Sequence, residues 1–142
     1  MQRQLTGLDR LIATLDTALR EVSKGTESLS GERPSTATDH SEADLTDAER
    51  QHAGGLMRIN HTGEVCAQAL YRGQALVAKS DETRDALLAA AQEEKDHLDW
   101  CEERLDSLGT HPSRFNPLFF TSSYALGALT GAIGDKVSLG FV

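Results

Sequence analysis

The sequence Glu94-Lys95-Asp96-His97 places a carboxylate and an imidazole three residues apart, in a region with the periodicity of an amphipathic helix. Residues three apart in a helix lie on one face, one above the other. An unpaired carboxylate in an apolar stripe is costly, so Glu94 has to be neutralised, paired or bound to a metal ion. The stripe that contains Glu94 and His97 is formed by Leu87, Ala90, Ala91, Leu98, Cys101, Leu105 and Leu108.

Two capping signals divide the surrounding region into two helices. Thr46 followed by Glu49 is a capping-box pattern, which predicts a helix from there to about Lys79. Ser80, followed by two acidic residues, predicts the start of a second helix that ends at Leu108. The break between the helices is short, so we expect an antiparallel hairpin.

Glu64 lies in the first helix of this hairpin, 30 residues before Glu94. At the rise of an α-helix, Glu64 is about 22 Å and Glu94 about 20 Å from the turn, so the two carboxylates reach the same height. In dimetal carboxylate bundles, two helices each supply one Glu and two others each supply a Glu-x-x-His. Half of that set is present in this chain. We therefore predict Glu64, Glu94 and His97 as metal ligands. The alternative is a chance match on a solvated helix face. An oxygen-rich set with few imidazoles favours iron or manganese over zinc.

Two neighbours of Glu64 are candidates for supporting the ligands. His61 lies three residues before Glu64, and Tyr71 lies seven residues after it on the same helix face. His61 could orient a ligand through a hydrogen bond, and Tyr71 could line the pocket. A surface or capping histidine and a core aromatic are the alternatives.

The rest of the chain suggests three segments. Residues 1–23 have the apolar spacing of an amphipathic helix, residues 24–45 are a polar linker, and residues 46–142 form the main domain. Residues 115–134 contain no Asp, Glu, Lys or Arg, and they predict the start of a third helix that is buried or lies against a membrane surface. Gly127 and Gly131 in this stretch would allow another helix or lipid to approach closely.

Overall composition narrows the function classes. The net charge of −8 argues against a nucleic-acid partner, because neutralising phosphates requires a basic face. Cys66 and Cys101 have no zinc-like spacing, and in the predicted hairpin they lie some two turns apart, too far for a disulfide. With no secretory signal visible, we expect free thiols in a reducing compartment.

Four motifs of the chain are distinctive in combination. They are Arg58-Ile59-Asn60-His61-Thr62-Gly63-Glu64-Val65, Tyr71-Arg72-Gly73-Gln74, Glu94-Lys95-Asp96-His97-Leu98 and Gly134-Asp135-Lys136-Val137-Ser138-Leu139-Gly140-Phe141-Val142. Taken together, they resemble the bacterial demethoxyubiquinone hydroxylases, which are ferritin-like di-iron monooxygenases of ubiquinone biosynthesis. The resemblance is clear over residues 54–142 and less distinctive before them.

The resemblance implies an all-α, ferritin-like bundle of which this chain holds the hairpin and the start of the third bundle helix. It implies that Glu64 binds one iron, that Glu94 bridges two irons, and that His97 binds the same iron as Glu64. The family's third Glu and second Glu-x-x-His lie beyond Val142, so the chain resembles a C-terminally truncated member. The implied reaction is O2-dependent hydroxylation of a prenylated methoxy-benzoquinol (demethoxyubiquinol) by two iron ions.

The implied partners are the quinol, O2, an unidentified reductant and the cytoplasmic side of the cell membrane, where the enzyme would be peripheral. A ubiquinone-biosynthesis complex or a homo-oligomer would fit the same expectation.

Two other functions stay open. An iron-binding, ferritin-like protein could complete a di-iron site by dimerising its hairpin, since two copies supply four Glu and two His. A helical interaction module with chance carboxylates is the third.

Overall fold

The computed structural model describes residues 6–9, 12–13, 16 and 43–134. Residues 43–134 form three helices, α1 (Asp47–Val77), α2 (Asp81–Ser107) and α3 (Asn116–Ile133), and the described residues include no strand. The described residues before position 17 are mostly helical, but most of the predicted N-terminal helix (1–23) and linker (24–45) lies outside the described part. Those two segments stay predictions.

Both predicted N-terminal caps are confirmed. The Thr46 hydroxyl accepts a hydrogen bond from the Glu49 backbone N–H, and the Glu49 carboxylate accepts one from the Thr46 backbone N–H at 2.9 Å. Ser80 accepts a hydrogen bond from the backbone N–H of Thr83 at the start of α2. These bonds satisfy amide groups that the first helical turn leaves without partners.

The C-terminal ends differ slightly from the prediction. Helix α1 ends at Val77, two residues before the predicted Lys79, and α2 ends at Ser107. Gly109 has a φ of 69°, and its N–H donates to the Asp106 carbonyl at 2.9 Å. Glycine adopts this left-handed conformation without the steric cost of a Cβ atom, so it closes α2 at the predicted position within one residue.

Helix α1 packs against both α2 and α3. Its hairpin with α2 is antiparallel, as predicted, since only residues 78–80 connect them. Helix α3 runs in the same direction as α1: Asn116 at its start contacts Thr62, and Gly131 near its end contacts Val77.

Glycines allow α1 and α3 to cross in backbone contact. A Cβ atom on Gly73 would lie 2.1 Å from the Tyr124 carbonyl oxygen, and one on Gly127 would lie 2.2 Å from the Leu70 carbonyl oxygen. The close approach predicted for Gly127 and Gly131 is therefore made by a helix of the same chain.

Helix α3 has a buried face and an exposed apolar face. Phe120 and Tyr124 are buried in a cluster with Ala69 of α1. The exposed face carries Phe115, Leu118, Phe119, Leu126, Leu129 and Ile133. One face of α3 is therefore buried, as predicted, and contact of the other face with a membrane surface stays a prediction. The helix matches the charge-free stretch 115–134 within one residue at each end and stops at Ile133, before Gly134 with its φ of 148°. Residues 135–142 lie outside the described part.

Within residues 43–134, none of the three helices combines the length and apolar character needed to cross a bilayer.

Candidate metal centre

The hairpin brings Glu64, Glu94 and His97 together. One possible ligand atom from each lies within 4.8 Å of the others. His97 Nδ1 is 2.9 Å from Glu94 Oε2 and 3.8 Å from Glu64 Oε2. The side chains of Glu94, Glu64 and His97 are 15%, 30% and 42% exposed. The register predicted from the 30-residue spacing is therefore the register of the structure, and the cluster opens to one side of the hairpin.

Burial and the nearby Glu94 raise the free energy of the charged form of Glu64. Burial raises the pKa of Glu64 above its ordinary 4.5, a hydrogen bond with Glu94 and its negative charge raise it further, and His97 opposes the rise. A site that holds two carboxylates this close without a cation carries an electrostatic cost. A divalent ion bound between them would remove that cost.

This electrostatic cost predicts how the stability of the metal-free chain depends on pH. Because the pKa of Glu64 is higher in the folded than in the unfolded state, its contribution to stability is greatest below the unfolded value and falls as pH rises through the folded value. We expect Glu64→Gln to raise the free energy of unfolding of the metal-free chain at pH 7, with the gain shrinking towards pH 4. Urea unfolding at both pH values measures it. A gain that is equal at pH 4 and pH 7 would contradict this origin.

Three further side chains border the cluster. Tyr71 is half-buried against Ala75, Ala78 and Leu87, and burial raises its pKa, as do the charges of Glu94 and Glu64. Tyr71 therefore fits both of its predicted roles, as a core aromatic that also lies near the carboxylates. Trp100 and Cys101 were not predicted as part of this region.

Trp100 and Cys101 follow His97 by about one turn of α2. The Trp100 and His97 ring centroids are 5.4 Å apart with the rings tilted by 41°. Burial and the charges of Glu64 and Glu102 raise the pKa of the Cys101 thiol. The i+4 position of Cys101 in the apolar stripe was the available signal. Both cysteines are free, as predicted.

His61 is not brought to the ligands. It is buried, with 3% of its surface exposed, and its two ring nitrogens contact Glu102 of α2 and Asn116 of α3. Any effect of His61 on the metal ligands therefore acts through the position of the helices. Glu102 lies one turn after Leu98 of the apolar stripe, and that position was the available signal that its side chain faces inward.

The donor set fits a hard or borderline divalent metal. Two carboxylates and one imidazole are the ligand types that iron and manganese accept, and no thiol belongs to the cluster found among the described residues. The open side of the cluster leaves room for further ligands. The residues can therefore hold a metal ion.

Comparison with known proteins gives a consistent assignment. The family model of ubiquinone biosynthesis protein COQ7 matches residues 51–142. The 3-demethoxyubiquinol 3-hydroxylase of Pseudomonas putida (strain GB-1) is 54% identical over 143 residues, covering 99% of this chain and 65% of that protein. The corresponding hydroxylase of Xanthomonas campestris pv. campestris (strain 8004) is 56% identical over 137 residues, covering 94% of this chain and 63% of its own length.

The chain spans about 65% of the length of the curated relatives it matches. No solved structure matches it significantly. The match to the family model includes Glu64, Glu94 and His97. The chain therefore belongs to the ubiquinone biosynthesis protein COQ7 family.

Proposed function

We propose that this chain carries half of the metal centre of an enzyme that hydroxylates the ring of a prenylated methoxy-benzoquinol in ubiquinone biosynthesis. The single observation that carries the proposal is the convergence of Glu64, Glu94 and His97 within 4.8 Å. The relatives named 3-demethoxyubiquinol 3-hydroxylase supply the substrate class. We propose O2 and an external reductant as the other reactants.

Iron is the metal we propose, with two ions in the complete site. Glu64, Glu94 and His97 would hold it from this chain, and bound iron would supply the activation of O2 for the ring hydroxylation. Glu94 is the least exposed of the three and lies nearest to His97, so it is the residue best placed to contact metal from the inner side. Tyr71 lies near enough for the charges of Glu94 and Glu64 to raise its pKa, and we propose that it lines one side of the metal site.

A second candidate is the dimeric iron-binding protein. It is favoured by the open side of the cluster, where Glu64 and His97 keep 30% and 42% of their side-chain surface exposed. Two hairpins facing each other would supply four Glu and two His. Molar mass measured together with iron content separates the candidates, because a shared site requires a dimer that holds about one iron per chain.

We propose that the exposed apolar face of α3 rests on the cytoplasmic side of the cell membrane. A prenylated quinol is insoluble in water, and this face carries large apolar side chains with no charge between residues 115 and 134. Flotation with phospholipid vesicles tests it: we expect Leu129→Glu to lose vesicle binding, with exposed Leu88→Glu on α2 as the control. Equal binding by both variants would contradict the assignment of this face.

A chimera tests the hydroxylase proposal. Residues 1–142 would replace the matching 65% of the Pseudomonas putida relative, and the chimera would be expressed in bacteria that lack their own hydroxylase and accumulate demethoxyubiquinol. We expect restored ubiquinone. Continued accumulation of demethoxyubiquinol, in cells where the chimera is as abundant as the intact relative, would contradict the proposal.

A further inference from the structure

A buried imidazole joins all three helices about one turn below the metal cluster. His61 Nε2 lies 3.1 Å from Glu102 Oε1 of α2, and His61 Nδ1 lies 3.1 Å from Asn116 Nδ2 of α3. His61 is 3% exposed. A buried histidine with both ring nitrogens in use is fixed in position and in tautomer.

The direction of each hydrogen bond follows from Glu102, whose carboxylate accepts from His61 Nε2. With the proton on Nε2, His61 Nδ1 is an acceptor, and Asn116 Nδ2 donates to it. The Thr62 hydroxyl lies 3.0 Å from Asn116 Oδ1 and 2.9 Å from the Arg58 carbonyl oxygen, so its one proton is shared between these two acceptors. We call the group of His61, Thr62, Glu102 and Asn116 the helix clasp.

The helix clasp and the hairpin turn lie on opposite sides of Glu64 along α1. Residues 78–80 set the register of α1 against α2 at the turn, and the helix clasp joins the same helices on the other side of the metal cluster. Its hydrogen bonds require particular atoms to meet, so they hold the register at the end that the turn does not reach. A slip of one residue along α1 would carry Glu64 about 1.5 Å along the axis and rotate it by about 100°. Such a slip would take Glu64 out of reach of Glu94 and His97.

We propose that His61 is a positioning residue of the metal centre, which holds Glu64 in register with Glu94 and His97 through Glu102 and Asn116. Its ring nitrogens contact none of the three metal ligands. The proposal rests on the metal site of the proposed function, and it adds the residue group that sets the geometry of that site.

Metal affinity tests the proposal against a merely structural role. Co(II), which is stable in air, would be titrated into the full 142-residue chain at a temperature below that of its unfolding transition. Residues that support metal ligands typically change affinity by about 10–100-fold when removed, and we expect a loss of that size for His61→Phe and Glu102→Ala. Glu102→Gln keeps an oxygen that accepts from His61 Nε2, so it should retain most of the wild-type affinity.

Arg58→Ala is the matched control. Arg58 lies one turn before His61, and its Nε donates to the His111 carbonyl at 2.9 Å, joining α1 to the segment between α2 and α3. We expect this variant to lower the free energy of unfolding without lowering Co(II) affinity. If Arg58→Ala weakens Co(II) binding as much as Glu102→Ala does, the helix clasp has only a general stabilising role.

A distance measurement on the metal-free chain tests whether the helix clasp sets the register of α1 against α2. Spin labels on Ile59→Cys and Glu103→Cys, in a chain with Cys66→Ser and Cys101→Ser, report the register of α1 against α2 by pulsed electron paramagnetic resonance. We expect one narrow distance that broadens or shifts in Glu102→Ala and is preserved in Glu102→Gln. Failure of the wild-type chain to bind Co(II) would contradict the proposed metal site, but it would not contradict the role of His61 in setting the register of α1 against α2. An unchanged distance in both His61→Phe and Glu102→Ala would overturn the proposal.

Discussion

Gly127→Ala is expected to destabilise the chain and to release α3 from α1. The new Cβ atom would lie 2.2 Å from the Leu70 carbonyl oxygen, and neither helix backbone can move without opening the contact. Overpacking of this kind costs about 1–3 kcal/mol, occasionally more. Release of α3 would also expose Phe120 and Tyr124, which are now buried. Urea unfolding followed by circular dichroism measures the loss.

Gly55→Ala is the control, with the opposite sign expected. A Cβ atom on Gly55 meets no atom within 4 Å, so the substitution adds helix propensity without a clash. It should stabilise the chain by about 0.5–1 kcal/mol. A Gly127→Ala variant as stable as Gly55→Ala would show that α3 does not pack against α1 in this way.

Glu94→Gln is expected to abolish hydroxylation by the chimera. Residues that only support a metal ligand change affinity or activity by about 10–100-fold when removed, so loss of the least exposed ligand should exceed about 100-fold. The amide is close to the carboxylate in size, so the fold should survive. The measurement is the ratio of ubiquinone to demethoxyubiquinol in cells that depend on the chimera.

Glu93→Gln provides the control for this result. Glu93 is the neighbouring carboxylate, is exposed, and lies outside the cluster of ligand atoms. We expect it to leave ubiquinone at the level of the unsubstituted chimera. If Glu94→Gln supports the same ubiquinone level as Glu93→Gln, the assignment of Glu94 as a metal ligand is wrong.

The hairpin and its metal cluster could be predicted from sequence because local signals determine them. The caps at Thr46 and Ser80 and the turn at Gly109 fix where α1 and α2 begin and end, and the helical rise then sets which residues face each other. Glu64, Glu94 and His97 followed from that arithmetic. The all-α, ferritin-like assignment is confirmed by the helices and by membership of the COQ7 family.

Contacts with α3 could not be predicted in the same way. The direction of α3 relative to α1 depends on the path of residues 108–115, which no periodic pattern encodes. His61 was considered only as a neighbour of Glu64 along α1, whereas its contacts are with Glu102 and Asn116. These are contacts between residues 41 and 55 positions apart in the sequence. A single sequence contains no direct signal for such pairs.

Trp100 can report metal binding by Glu64, Glu94 and His97 across the hairpin. It is the single tryptophan of the chain, and its ring centroid lies 5.4 Å from that of His97. The deciding measurement is a titration of the wild-type chain with Co(II), followed by tryptophan fluorescence. We expect saturable quenching at one Co(II) per chain that is lost in Glu64→Gln, in Glu94→Gln and in His97→Asn. Quenching that persists in all three variants, or no quenching in the wild type, would contradict the account.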